Sequence, residues 1–340
     1  MRTTSTAAPT LALIGCGAVA SAFYLPALTK HRGWLPRLVL VDDDLDRARA
    51  LAAAFGVEHV AGSHREVPES VRGAVIAVPN ALHYSVALDC LRAGRHVLCE
   101  KPLAEREVQA RAMVDEAARA GVTLAVNHVR RAYPSCRHVQ SLIRGGRLGE
   151  LTRIEVSWGE RFDWKATTGS YFGAAAAGRG VLADRGAHVL DLLCWWLGER
   201  PELVSYADDS LGGSEAVARV QLRHRACLIE VALSWLTAFD NIVRIEGTEA
   251  TLTMGIYDWR SFSVANRGGG ETETLTAPVG PLRDPRQLVI DDFLEVLGSG
   301  RPPLVPASEV VPSIALIEQC YSRRQRLPMP WFDTLHRLPL

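Results

Sequence analysis

A glycine-rich turn near the start of the chain constrains its fold more than any other sequence feature. Residues 10–14 form a hydrophobic run of strand character that leads into a turn at residues 15–20, and a helical pattern follows. A second hydrophobic run, at residues 38–41, ends in Asp42. A strand, a glycine turn, a helix and a second strand that ends in an acid outline a βαβ unit that binds a dinucleotide.

The glycines of this turn have separate roles in such a unit. The first, Gly15, makes the tight turn, and the second, Gly17, lets backbone N–H groups approach a pyrophosphate. The N-terminus of the following helix then faces the phosphate charge. Ala20 occupies the last small position, where the fingerprint allows alanine. We therefore predict that five residues contact the dinucleotide: Gly15, Cys16, Gly17, Ala18 and Val19.

The acid at the end of the second strand indicates which dinucleotide binds. Asp42 lies 27 residues after Gly15, farther than the roughly 20 residues that are usual for the acid on the ribose. A loop at residues 31–36 accounts for the excess. A carboxylate there accepts hydrogen bonds from the adenosine ribose and repels a 2′-phosphate. Asp43 and Asp44 place more negative charge nearby, although both are typical of a solvated turn, and we predict NAD over NADP.

The composition favours a soluble protein without nucleic acid or membrane partners. The 340 residues suffice for two domains, and Lys+Arg and Asp+Glu both total 38. No apolar run is long enough to span a bilayer. The seven cysteines show neither C-x-x-C nor Cys/His metal spacing, so we expect buried thiols, a cytoplasmic location and no metal site.

One N-terminal pattern allows a competing interpretation. Residues 13–16 resemble a lipoprotein cleavage box, and residues 1–9 carry a single arginine before an apolar stretch. Cleavage before Cys16 would destroy both the strand and the glycine turn. We therefore expect residues 1–9 to form a flexible leader and the protein not to be exported.

Periodicity divides the chain into two parts. The first part alternates strands with helices, which predicts an α/β fold with a doubly wound parallel sheet. Beyond about residue 128, β-like runs follow one another and the helices are segregated. This pattern predicts an α+β domain on a mostly antiparallel sheet. The strands predicted for the first part are residues 11–14, 38–41, 73–78, 96–99 and 122–126.

Two segments carry candidate chemistry. Lys101 lies in E-K-P-L, at the end of a predicted parallel strand, where a lysine can stabilise negative charge on a reacting oxygen. An isolated Lys-Pro would instead indicate a surface lysine before a turn.

Asp184 and His188 are four residues apart on a predicted helix, with Asp191 on the same stripe. A carboxylate can orient a histidine as a proton acceptor. The alternative is a helix cap with a structural histidine, and no third ligand has suitable spacing for a metal.

These motifs together resemble a known family. The glycine turn, V-P-N-A-L-H at residues 78–83, E-K-P-L at residues 100–103 and G-V-L-A-D-R-G-A-H-V-L-D at residues 180–191 occur in the order and spacing of the Gfo/Idh/MocA oxidoreductases. That family is named for glucose–fructose oxidoreductase and inositol dehydrogenase. The resemblance extends over nearly the whole chain and includes N-H-V-R-R-A-Y-P at residues 127–134.

The resemblance implies a fold, a reaction and an assembly. It implies a Rossmann domain at residues 1–128 and an α+β domain at residues 129–340 that binds substrate and whose open sheet mediates homodimers or homotetramers. It also implies hydride transfer between a nicotinamide cofactor and a secondary alcohol or ketone of a sugar, sugar derivative or cyclitol. A redox-neutral enzyme that retains its NAD, such as an epimerase or glycosidase, and a non-catalytic dinucleotide sensor remain alternatives.

The resemblance also implies site residues. Asn80, His83 and Glu100 match positions that line the nicotinamide ribose, and Pro79 belongs to the same cofactor-binding segment. Arg131 and Asp191 match positions that can face substrate. Three residues match the catalytic group beside the nicotinamide: Lys101, Asp184 and His188.

The sequence departs from the family pattern at several positions. Val78 replaces the commoner threonine, and Arg185 stands where an apolar residue is more usual. His128 and residues 160–165 match no substrate signature. The latter residues flank the expected pocket, where they either set specificity or form a solvated loop.

Overall fold

The computed structural model describes residues 10–31, 33–163, 179–211, 213–258, 260–269, 272–276 and 284–329. Within these ranges the chain forms two compact units. The first contains residues 10–132 and 284–314, and the second contains residues 133–163, 179–276 and 315–329. The expected leader at residues 1–9 lies outside the described residues, and so do most of residues 169–180, a Gly/Ala-rich stretch for which the sequence predicts a loop. The domain boundary at residue 128 stays a prediction.

The first unit is built on a parallel sheet. Its strands follow the order β3-β2-β1-β4-β5-β6, and all of its pairings in the described residues are parallel. This order confirms the predicted doubly wound arrangement. The strands are β1 (Leu11–Ile14), β2 (Leu38–Val41), β3 (His59–Ala61), β4 (Gly73–Ile76), β5 (His96–Cys99) and β6 (Leu124–Val126).

Helices connect these strands and those of the second unit. The helical segment after the glycine turn begins at Ala18, widens into a π turn at Ala20–Tyr24 and continues as an α-helix. The α-helices of the described residues are α1 (Leu25–Leu28), α2 (Leu45–Phe55), α3 (His83–Arg92), α4 (Glu107–Ala120), α5 (Pro134–Arg144), α6 (Ala187–Leu197), α7 (Pro285–Ser299) and α8 (Ala307–Ser322). Among the described residues, no helix is both long enough and apolar enough to cross a bilayer.

The parallel sheet is buried on both faces. Along β1, Ala12 and Ile14 belong to one hydrophobic cluster, whereas Leu11 and Leu13 belong to another. Successive strand residues point to opposite faces, so each cluster covers one face of the sheet. This burial explains why the strands are continuous hydrophobic runs without polar alternation.

The second unit contains a mostly antiparallel sheet in the order β14-β13-β12-β11-β7-β10-β9-β8-β15. Its parallel pairs among the described residues are β7 with β10 and β8 with β15. Buried residues of this sheet share one cluster with Val139 of α5 and Leu193 of α6. The strands are β7 (Leu151–Gly159), β8 (Glu202–Asp208), β9 (Val217–His224), β10 (Cys227–Ser234), β11 (Ile242–Gly247), β12 (Ala250–Gly255), β13 (Ser261–Asn266), β14 (Glu273–Thr276) and β15 (Gln325–Arg326).

Candidate active site

The glycine turn is clamped between the ends of neighbouring strands. Gly15 has a φ of +96°, and a Cβ at this position would lie 2.5 Å from the carbonyl oxygen of Ala77. The Gly15 N–H donates to the carbonyl of Val41 at 2.8 Å. Because both the dihedral and the close approach exclude a side chain, glycine is required here. The turn therefore holds the start of the following helix at the carboxyl edge of the sheet, where a pyrophosphate would bind.

Asp42 fixes the glycine turn from the end of β2. Its side chain is buried, and its Oδ2 accepts a hydrogen bond of 2.7 Å from the Cys16 backbone N–H. Its Oδ1 accepts from the Asp44 N–H at 3.0 Å and from Arg47 Nη1 at 3.2 Å. The predicted ribose-binding acid is thus held in one orientation by charge-assisted hydrogen bonds.

Cys16 is a buried thiol with a raised pKa. It is 4% exposed, and burial, together with the nearby charge of Asp42, raises its pKa to about 12. The thiolate required for nucleophilic chemistry is therefore scarce at neutral pH.

Glu100 lies at the centre of a polar cluster that follows β5. Its Oε1 accepts from the Tyr24 hydroxyl at 2.7 Å and from Asn127 Nδ2 at 2.7 Å. Its Oε2 accepts from the Lys101 backbone N–H at 3.1 Å. Burial raises the pKa of Tyr24 well above its usual value, so this hydroxyl stays protonated and donates. The cluster fixes the backbone that carries Lys101.

His83 ties together the two loops that follow β4 and β5. Its ring is fully buried, with Nδ1 at 2.8 Å from the carbonyl oxygen of Pro102 and Nε2 at 3.0 Å from that of Val78. Burial lowers the pKa of His83, although both carbonyl oxygens favour the charged ring. Pro79 and Asn80 belong to the loop that His83 holds in place. Contact of His83, Pro79 or Asn80 with a cofactor stays a prediction.

Asp184 and His188 lie where a π turn leads into α6. The turn spans Leu182–Gly186, and α6 begins at Ala187. Asp184 and His188 are half-buried, and Asp191 is buried. The His188 ring packs against Trp158, with ring centroids 6.1 Å apart. Lys101 belongs to the first unit, and the combined action of these residues stays a prediction.

Glu215 holds the entry to this helix. Its Oε1 accepts from the Leu182 N–H at 2.9 Å and from the Tyr321 hydroxyl at 2.8 Å, and its carbonyl oxygen accepts from the Val181 N–H at 2.9 Å. Glu215 is fully buried, and burial raises its pKa. These bonds satisfy N–H groups that a helix start otherwise leaves unpaired.

Arg131 has a well-defined ionic partner within the first unit. Its side chain is 1% exposed, and Nη1 lies 2.7 Å from Oε2 of Glu309 in α8. Its Nη2 donates to the Glu309 carbonyl at 3.3 Å. This pair stabilises the beginning of α8 in the structure, and contact of Arg131 or Asp191 with substrate stays a prediction.

Three polar residues of these clusters are not among the site residues that the sequence predicts. Tyr24 and Asn127 reach Glu100 from 76 and 27 residues away, and Glu215 reaches Leu182 from 33 residues away. Asn127 opens the N-H-V-R-R-A-Y-P segment, which was the one local signal for it. Among the described residues, no group of three or more His, Cys, Asp or Glu side chains could hold a metal ion.

Comparison with known proteins assigns the family. The profile described as "Oxidoreductase family, NAD-binding Rossmann fold" matches residues 10–128, and that described as "GFO/IDH/MocA C-terminal domain" matches residues 136–253. The chain belongs to the Gfo/Idh/MocA oxidoreductases. It is therefore an NAD(P)-dependent oxidoreductase, and NAD is the cofactor expected of its Rossmann domain.

Individual relatives within this family include sugar dehydrogenases. D-apiose dehydrogenase of Paraburkholderia graminis is 30% identical over 282 residues, which cover 78% of this chain and 72% of that protein. D-glucoside 3-dehydrogenase of Escherichia coli is 31% identical over 201 residues, which cover 58% of this chain and 57% of that protein. The structure of levoglucosan dehydrogenase with NADH and levoglucosan shares the fold, with a TM-score of 0.78, 20% identity and coverage of 92% and 95%.

Proposed function

We propose that this enzyme transfers a hydride between NAD and a secondary alcohol or ketone of a sugar, sugar derivative or cyclitol. The observation that carries the proposal is the glycine turn, fixed by Asp42 at the carboxyl edge of a parallel sheet. The names of the family relatives, D-apiose dehydrogenase and D-glucoside 3-dehydrogenase, support the substrate class.

The residues of the first unit fit a dinucleotide. The turn at residues 15–19 would hold the pyrophosphate, since a side chain at Gly15 is excluded and backbone can approach the ligand. Asp42 would accept hydrogen bonds from the adenosine ribose and disfavour a 2′-phosphate, which favours NAD over NADP. The nicotinamide ribose would be surrounded by Pro79, Asn80, His83 and Glu100. These residues would either contact it or hold the loops that contact it. When bound, NAD accepts the hydride or returns it.

The proton and the reacting oxygen are assigned to three side chains. In oxidation, His188 takes the hydroxyl proton, and Lys101 and Asp184 hold and polarise the oxygen. Arg131 and Asp191 are further candidates for substrate contact. Orientation of the two reactants can contribute about 7–11 kcal/mol to the acceleration.

Alanine variants of Lys101 and His188 test this assignment. A panel of sugars, nucleotide sugars and cyclitols, each with NAD and NADP, first identifies a substrate by absorbance at the nicotinamide band. Lys101→Ala and His188→Ala should each lower kcat by about 10²–10⁴-fold, the contribution typical of a positioned acid or base. NADH binding, measured by fluorescence titration, should remain close to that of the unmodified enzyme.

Lys30→Ala is the matched control, because Lys30 is exposed on the same unit as Lys101. Its kcat should be unchanged. Near-normal turnover in both Lys101→Ala and His188→Ala would defeat the assignment. NAD that copurifies and never exchanges would instead identify the redox-neutral alternative.

We also propose a cytoplasmic homodimer or homotetramer. All seven cysteines are buried free thiols, which suits a reducing compartment. The open sheet of the second unit is the surface that the family resemblance associates with assembly. Analytical ultracentrifugation of the full chain measures the oligomeric state, and a monomer at micromolar concentration would contradict this part of the proposal.

A further inference from the structure

We propose that Arg185 is a positioning residue that fixes the orientation of the His188 ring by immobilising Trp158. The inference rests on the proposed role of His188 as the proton acceptor. It explains why a cationic residue stands inside D-R-G-A-H, where an apolar residue is more usual in the family. All the residues that carry it belong to the second unit.

The Arg185 guanidinium bridges the ends of two neighbouring parallel strands. The residue is 7% exposed, and Nη1 donates to the carbonyl oxygen of Ser234, the last residue of β10, at 2.6 Å. Its Nη2 donates to Oε1 of Glu160, the residue that follows β7, at 3.1 Å. Ser234 pairs in register with Gly159 of β7, so the two acceptors lie side by side. A planar guanidinium can reach both at once, whereas an ammonium has no such fork.

Trp158 is held on its face and at its edge by the same group of residues. The guanidinium carbon of Arg185 lies 5.5 Å from the centre of the Trp158 ring, within the range of a cation–π interaction. Trp158 Nε1 donates to the Tyr257 hydroxyl at 2.7 Å, and that hydroxyl donates to Oε1 of Glu160. Arg185, Glu160, Tyr257 and Trp158 therefore form a closed ring of contacts, which we call the Arg185 ring.

The Arg185 ring contacts His188 through Trp158. The Trp158 indole packs against the imidazole with a centroid distance of 6.1 Å and an interplanar angle of 36°. A tilted aromatic contact of this kind restricts the rotamers of the histidine side chain. Arg185 precedes His188 by three residues on the same helical segment, so it anchors that segment and the indole beside it. Loss of the guanidinium removes the contact on the face of the indole and the anchor of the helical segment.

Three variants and a control test the proposal. Arg185→Met removes the charge and the fork, Arg185→Lys keeps the charge alone, and Tyr257→Phe removes the hydroxyl that joins Trp158 to Glu160. Arg137→Met is the matched control, because Arg137 is exposed on α5 of the same unit. The His188 ring is observed by NMR in protein labelled with ring-¹³C histidine, and its signals are assigned with His188→Gln.

We expect Arg185→Met to shift or broaden the His188 ring signals and to lower kcat by about ten- to hundredfold, as misorientation of a catalytic group does. The KM for NAD should stay unchanged. Arg185→Lys and Tyr257→Phe should give intermediate changes in the His188 signals and in kcat. Arg137→Met should match the unmodified enzyme in both.

Unchanged His188 signals in folded Arg185→Met would overturn the inference. If that variant does not fold, Tyr257→Phe decides, because Tyr257 is 49% exposed and its ring is retained. Unchanged His188 signals in Tyr257→Phe would then overturn the inference. The NMR signals report ring orientation without turnover. Failure of the proposed function, seen as normal kcat in His188→Ala, is therefore distinguishable from failure of this inference.

Discussion

The buried side chain of His83 connects two loops, V-P-N and E-K-P-L, that are separate in the sequence. One ring nitrogen contacts the carbonyl of Pro102 in the E-K-P-L loop, and the other contacts the carbonyl of Val78 in the V-P-N loop. The family pattern assigns His83 to the nicotinamide ribose, whereas its contacts give it a structural part in holding Lys101's loop. Both functions can belong to one residue.

The buried ring of His83 makes the stability of the protein depend on pH. Its pKa is lowered by burial, while the unfolded chain has a histidine pKa near about 6.5. As the pH falls through about 6.5, the unfolded chain binds a proton that the folded protein does not bind. The contribution of His83 to stability is therefore full above about pH 6.5 and decreases as the pH falls towards the lowered folded pKa.

His83→Gln removes this proton-linked contribution. Urea unfolding measures the free energy of unfolding of both proteins between about pH 7.5 and about pH 5.5. This range extends roughly one unit on either side of the unfolded pKa. We expect that free energy to fall less steeply with decreasing pH in His83→Gln than in the unmodified protein. Equal slopes in the two proteins would contradict the lowered pKa.

At the scale of elements, sequence pattern predicts regular structure well where local signals dominate. The observed bounds of β1, β2 and β5 coincide with the predicted ones, because each is a short hydrophobic run. β3 was not predicted. Its three residues are all half-buried at the sheet edge, and they show neither alternation nor a hydrophobic run.

In the candidate site too, features with a local sequence signal are predictable and features that depend on distant residues are not. The glycine turn and Asp42 are visible in the sequence, since a close backbone approach demands glycine whatever the surroundings. The π turn at Leu182–Gly186 is not visible, because the N–H of its first residue, Leu182, donates to Glu215, 33 residues along the chain. Periodicity within a short window carries no information about such a partner.

Glu215 therefore controls the entry to the helix that carries Asp184 and His188. Glu215→Ala leaves the buried Leu182 N–H and the Tyr321 hydroxyl without their acceptor, at about 1–3 kcal/mol for each group. We expect a lower free energy of unfolding in urea and faster hydrogen exchange of the amides at residues 181–186. Glu215→Gln keeps a carbonyl acceptor and should retain most of the stability.

Glu202→Ala serves as the surface control, because Glu202 is exposed on β8. It should leave both measurements unchanged. Unaltered exchange at residues 181–186 in Glu215→Ala would show that the helix entry is held by other contacts.

At the scale of the whole molecule, the first unit is completed by a segment from near the end of the chain. Val289, Ile290, Phe293 and Leu294 of α7 are buried in the cluster that contains Leu11 of β1. Each buried side chain of this kind contributes about 1.5–3 kcal/mol, so the four contribute about 6–12 kcal/mol. That range is comparable with the whole stability of a typical domain, about 5–15 kcal/mol.

A fragment of residues 10–132 should consequently lack a stable fold, although it contains all six parallel strands described for the first unit. Joining residues 284–314 to it through a flexible glycine–serine linker of about 20 residues should restore cooperative unfolding and NADH binding. Near-UV circular dichroism, urea unfolding and NADH fluorescence measure the difference. The joined fragment with Phe293→Ala should lose about 3–5 kcal/mol, because it leaves a cavity beneath the sheet. Cooperative unfolding of residues 10–132 alone would show instead that the parallel sheet and its first four helices suffice, and that α7 only covers a core already formed.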